Sequence, residues 1–181
     1  MLYIIVIIIP DPYRKKISSL QEQYKDPNWK ITLPPHITIM PPSSLVDGAS
    51  VETLKNQINA TIPSLSAFQI STGPIKKFDN KFGTIYLSVE NSNEIVRLHQ
   101  IIKNAVLHSV EKLDYYPDNF IPHITLSGDI PENALFDKYS EMKEINLAFD
   151  FNCSSIGLFC KNKSDNLWTQ IGLYDFPDQT G

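Results

Sequence analysis

The sequence predicts an α+β fold: a duplicated unit in two lobes with pseudo-two-fold symmetry, antiparallel sheets lining a central cleft and helices outside. Three observations predict it. PPHITIM at 34–40 has a near twin in PHITL at 122–126, half a chain away. The order strand, helix, HIT strand, helix, strand recurs in both halves. Each half then runs through a polar turn into a further strand, the pattern of a hairpin and hence of antiparallel pairing. A short strand pattern recurs by chance. A motif, an element order and a hairpin recurring together indicate duplication.

The elements follow in order. Leu2 to Ile9 is a β-branched run that stops at Pro10, as a buried central strand does. It lacks the basic start and small-residue cleavage site of a signal peptide, and it is far short of the ~20 apolar residues of a membrane helix. DPYRKKISSLQEQY (11–24) places Ile17, Leu20 and Tyr24 on one helical face, with Pro12 near its start. The HITIM strand follows. Residues 47–62 read as a helix with Val51, Leu54 and Ile58 inward, and FQISTG (68–73) as a strand. In the second half FGTIYLSVE (82–90) is a strand. Residues 91–113 form a helix with Ile95, Leu98, Ile102 and Val106 on its inner face. PHITLSG is a strand, 131–142 a helix and 147–160 a single strand. The lobes are expected at about 1–78 and 79–160 of one domain, with a C-terminal strand at 167–176 completing a sheet.

Composition narrows the partners. The chain is 42% hydrophobic and 20% charged, as globular proteins are. Its net charge of −4 argues against coating long nucleic acid, because phosphate contacts dominate that affinity. A small anionic ligand or a strand end remains compatible. Cys153 and Cys160 are too few for a disulfide framework and lack metal-site spacing. These features predict a cytoplasmic protein, a monomer, with no membrane segment and no cofactor.

On a strand, alternate side chains face opposite ways. Ile37 and Ile39 therefore point to the core, and His36 and Thr38 share the other face. Ile124 and Leu126 likewise leave His123 and Thr125 together. A two-fold axis would set both pairs around one space. Histidine titrates near neutral pH, so one ring can take a proton from an attacking hydroxyl or water while the other gives one to the leaving oxygen. The hydroxyls can bind non-bridging phosphate oxygens. Displacement at phosphorus uses this arrangement.

The paired motifs PHITI (35–39) and PHITL (122–126), in this element order, resemble the two-histidine (2H) phosphoesterase superfamily, which includes 2′-5′ RNA ligase-like proteins and cyclic phosphodiesterases. The resemblance spans about residues 1–176. It implies a bilobal fold and metal-independent opening of a 2′,3′-cyclic phosphate on a nucleotide or RNA end, or reversible 2′-5′ ligation. By motif match His36 and His123 would be catalytic, and Thr38 and Thr125 would bind phosphate. The sequence departs from the pattern at Gly128, where several RNA-acting members carry an arginine. Other readings stay open: a nucleotide-binding module without turnover, or the same chemistry on a cyclic oligonucleotide or an ADP-ribose cyclic phosphate.

Further candidates are weaker. Tyr86 and Ser88 alternate with Ile85, Leu87 and Val89 and are candidate substrate-binding residues facing the cleft. Trp29, Phe78, Phe120 and Trp168 fall near expected cleft edges, where an aromatic can stack on a base. Lys76, Lys77 and Lys81, and Lys161 and Lys163, cluster at two hairpin tips, where lysines are ordinarily solvated. His99 and His108 lack the i, i+4 spacing of a metal pair and read as packed or solvated helix residues.

Overall fold

The computed structural model describes residues 1–78, 83–111, 120–162, 164–165 and 167–177. The strands are β1 (Leu2–Ile8), β2 (His36–Ser43), β3 (Phe68–Phe78), β4 (Thr84–Val89), β5 (His123–Ser127), β6 (Asp150–Cys153), β7 (Ser155–Lys161) and β8 (Thr169–Asp175). The helices are α1 (Tyr13–Tyr24), α2 (Val51–Thr61), α3 (Asn93–Val106) and α4 (Glu132–Met142). Each overlaps its expected stretch, but β2 runs on to Ser43, β3 to Phe78 and β7 to Lys161, beyond the ends expected at 40, 73 and 160. The helix end expected at 112–113 and the start of the strand expected at Phe82 lie outside the described residues.

Two four-stranded antiparallel sheets result, ordered β2-β1-β7-β8 and β5-β4-β3-β6. Their equivalence is direct: β1 corresponds to β4, β2 to β5 and β7 to β3. β1 lies inside its sheet and is buried on both faces. Ile5, Ile7 and Ile9 join the main core under the helices, while Ile4 and Val6 pack with Phe159 on the opposite face. Burying each such isoleucine is worth ~1.5–3 kcal/mol.

Two expectations are corrected. The sheets do not follow the halves 1–78 and 79–160. β3 hairpins onto β4, so the first half delivers its last strand to the second sheet, and the end of the chain, β7 and β8, completes the first. The hairpin is the shortest route to pairing, and it spans the expected boundary. The strand expected at 147–160 is also two strands in different sheets. Its buried positions shift phase, from Phe151 and Cys153 to Ile156 and Leu158. A strand alternates strictly, so the slip at Ser154 marks where the chain leaves β3 for β1.

β2 and β5 are the outer strands of their sheets, and they touch one another. α1, from the first half, packs on β5, and α3, from the second, packs on β2. The two HIT strands thus meet, each packed by a helix of the opposite half.

Candidate active site

β2 opens at His36 and β5 at His123. Ile37, Ile39, Ile124 and Leu126 are all essentially inaccessible, and His36, Thr38, His123 and Thr125 are half-buried on the other face. The register agrees with the shared face. His36 and Thr38 lie opposite Ile8 and Val6, whereas His123 and Thr125 lie opposite Ser88 and Tyr86.

The proline before each histidine shapes its tautomer. It pushes the residue before itself out of the helical region, which turns that residue's carbonyl toward the ring two positions on. His36 Nδ1 lies 2.7 Å from the Pro34 carbonyl, and His123 Nδ1 lies 2.8 Å from that of Ile121. A carbonyl only accepts, so in each neutral ring Nδ1 carries the hydrogen. Nε2 is left as the nitrogen that exchanges protons. The two rings are therefore prepared identically.

Burial holds the His36 imidazole below the ordinary histidine range; the bond to Pro34 opposes this, and the nearby His123 lowers it further. Burial lowers His123 as well, against the bond to Ile121. A charge on His123 therefore disfavours a second charge on His36.

The surroundings of the rings differ. Phe78 stacks on Tyr86 at 4.1 Å between centroids, and both meet His123 edgewise, at 5.0 and 5.3 Å. Tyr86 is buried beneath Phe78, and burial raises its pKa, with Tyr139 adding to the rise. It packs against the His123 ring. Ser88 is also buried, and its hydroxyl donates to the Pro74 carbonyl at 2.8 Å, beside the irregular pairing between Thr72 and Ile75. Phe120 is taken up by stacking on His99, and Trp168 packs with Leu33 and Ile8 beside the Ile4–Val6–Phe159 cluster. Lys76 lies opposite Tyr86, on the cleft face, and is exposed. Lys81 and Lys163 lie outside the described residues.

Sequence reasoning missed two residues that tie the halves together. Gln21 of α1 donates from Nε2 to the Thr125 carbonyl at 2.8 Å. His99 of α3 is buried and bonds through Nδ1 to the Ile39 carbonyl at 2.7 Å. Both satisfy outward backbone groups of edge strands, a need that no one-dimensional pattern shows. A polar residue at a buried helical position, as Gln21 and His99 are, was the available signal.

His99 also carries a stability prediction. Burial lowers its pKa, opposed by the Ile39 bond. A histidine lowered in the folded state binds fewer protons there than when unfolded. Its contribution is therefore complete above about pH 6.5 and is lost as pH falls from there through the folded value. His99→Asn keeps a donor near Nδ1 without the titration, so its stability falls less steeply between about pH 6.5 and 4 than the wild type's. Equal slopes in denaturant titrations would refute this account of His99.

Residues 9–165 match the family model of the 2′-5′ RNA ligase superfamily. The chain belongs to this superfamily. Within the 2′-5′ RNA ligase superfamily it is 24% identical over 139 residues to a candidate phosphoesterase of Geobacillus sp. strain WCH70, covering 75% of this chain and 76% of that one. It is 21% identical over 171 residues to another, from Staphylococcus saprophyticus, covering 94% and 96%. The fold is that of TT0787 of Thermus thermophilus, with a TM-score of 0.72, 13% identity and coverage of 99% and 100%. Escherichia coli LigT, solved with 3′-AMP, is similar at a TM-score of 0.66 and 14% identity, with coverage of 96% and 97%. The duplicated two-sheet architecture is thus one that solved structures share. Among the described residues, no group of three or more His, Cys, Asp or Glu side chains is arranged to hold a metal, and no helix is long and apolar enough to cross a membrane.

Proposed function

We propose that this protein is a phosphodiesterase that opens a 2′,3′-cyclic phosphate on a nucleotide or RNA end by two-histidine acid–base catalysis, with no metal required. One observation carries the reading: two imidazoles, each fixed by Nδ1 to a backbone carbonyl, stand on strands that touch, with a threonine two residues on. In this reading Nε2 of the neutral ring takes a proton from water as its oxygen attacks phosphorus. The bond to one ribose oxygen breaks on the far side, and the protonated ring supplies that oxygen's proton. Thr38 and Thr125 donate to the non-bridging oxygens, and Lys76 adds positive charge on the same face. The naming of relatives as phosphoesterases, and the structure of LigT with 3′-AMP, are consistent with this.

The test is substrate class. Purified protein is offered the four nucleoside 2′,3′-cyclic monophosphates and a nucleoside monophosphate. The reading predicts a ring-opened monoester from the former and no inorganic phosphate from the latter. Release of phosphate from the monoester, with the cyclic compounds untouched, would overturn it.

A further inference from the structure

His123 is oriented by the bond from its Nδ1 to the Ile121 carbonyl at 2.8 Å. Ile121 is itself 50% exposed, so its own side chain gives that carbonyl little anchorage. Its chain neighbours are better held. Pro122 is buried. Phe120 is stacked on the imidazole of His99, with ring centroids 4.1 Å apart and planes 11° from parallel.

His99 is fixed in turn. It lies on the buried face of α3, is 3% exposed, and bonds through Nδ1 to the Ile39 carbonyl of β2 at 2.7 Å. Ile39 is buried in the core, on the strand that opens at His36. One ring therefore touches the surroundings of both catalytic candidates. Its nitrogen is bonded to the strand that carries His36, and its face carries the residue that leads toward His123.

The approach to His36 is built differently. Its orienting carbonyl is that of Pro34, and the buried Pro35 that follows accepts from the Ile9 N–H at 3.1 Å. Consecutive prolines restrict the backbone there, and a main-chain bond fastens it beside the end of β1. In the approach to His123 the exposed Ile121 stands between one proline and the stacked Phe120.

Resting on the two-histidine reading above, we propose that His99 is a positioning residue for the reaction. Its ring, aligned by Ile39, seats Phe120, and Phe120 holds the Ile121 carbonyl where it fixes the tautomer and direction of the His123 imidazole. Released from that carbonyl, a neutral His123 ring can carry its hydrogen on Nε2. It then presents a donor where the mechanism needs a lone pair. His99 thus acts through Phe120, from the far side of the strand.

The test separates the stack from the bond. His99→Asn keeps a donor for Ile39 and has no ring. His99→Phe keeps the ring and has no donor. Phe120→Leu breaks the stack from the other side. These variants, the His99→Asn/Phe120→Leu double variant and wild type are compared by two readouts. One is kcat on the nucleoside 2′,3′-cyclic monophosphates. The other is the imidazole nitrogen resonances of His123 and His36 at about pH 8.5, where the rings are neutral. His99→Asn and Phe120→Leu are each expected to lower kcat ~10-fold and to mix the tautomers of His123, with His36 unchanged. The double variant is expected to be no worse than either, because all three break one contact. His99→Phe is expected to keep the Nδ1–H tautomer and a kcat within about twofold of wild type, although it is less stable for its unpaired Ile39 carbonyl.

A purely structural role would shift the denaturation midpoint and leave both readouts of the folded protein in place. An unchanged His123 tautomer in Phe120→Leu, or losses that multiply in the double variant, would overturn the inference. So would a loss in His99→Phe equal to that in His99→Asn. If the His99 variants do not fold, Phe120→Leu, which leaves the His99–Ile39 bond intact, decides by the same readouts. If wild type turns over none of the substrates, the catalytic reading fails by itself, and the resonances still decide. Mixed His123 tautomers in Phe120→Leu support the positioning role, and a single Nδ1–H tautomer overturns it.

Discussion

Replacing His36 or His123 with alanine is expected to lower turnover by about 10²–10⁴-fold while leaving the fold intact. Each ring stands at the first position of an edge strand, on the face away from the core, and its hydrogen bond is the local one to the carbonyl two residues before. Truncation therefore opens no cavity among the buried isoleucines. The chemistry suffers because attack and departure each lose a proton carrier. The losses should not multiply: both rings serve one displacement, so the double variant is only slightly worse than either single one. Steady-state rates with thermal denaturation of the same samples check this. A wild-type-like rate in either single variant would remove that ring from the mechanism.

The second large effect is on pH. In the proposed mechanism the active form of the free protein has one proton on the pair. Both rings are lowered by burial, and the charge of His123 lowers His36 further. The singly protonated form is therefore most populated below the ordinary histidine value of about 6.5. The profile of kcat/KM is expected to be a bell centred below that value, falling on the alkaline side as the acid loses its proton. A bound phosphate diester brings a negative charge beside both rings and raises both, so the bell for kcat moves toward neutrality. A kcat/KM that keeps rising through about pH 8, with chemistry rate-limiting, would contradict the assignment.

Much of this site was legible in the sequence. The alternation in HITI and HITL fixes which side chains are buried, and it leaves His36 with Thr38 on one face of β2 and His123 with Thr125 on one face of β5. What stayed hidden depended on three dimensions. The hairpin of β3 with β4 exchanges strands between the halves, and the spacing of motifs does not register that exchange. Ser88 reads as cleft-facing from its strand position, and that position does not show its bond to the Pro74 carbonyl, beside a local irregularity of β3. Gln21 and His99 look like ordinary helix residues until α1 and α3 are seen capping the opposite half's edge strands. The phase slip at Ser154 was present in the sequence. A run of apolar residues on either side concealed it.

In the proposed mechanism two histidines, one from each HIT strand, perform the chemistry at one phosphate without a metal. Hydrolysis of nucleoside 2′,3′-cyclic monophosphates in excess EDTA, with wild type beside the His36→Ala/His123→Ala double variant, tests it most directly. Turnover that survives the chelator in the wild type and disappears in the variant is the predicted result. Turnover that the chelator abolishes, or that the double variant retains, would contradict it.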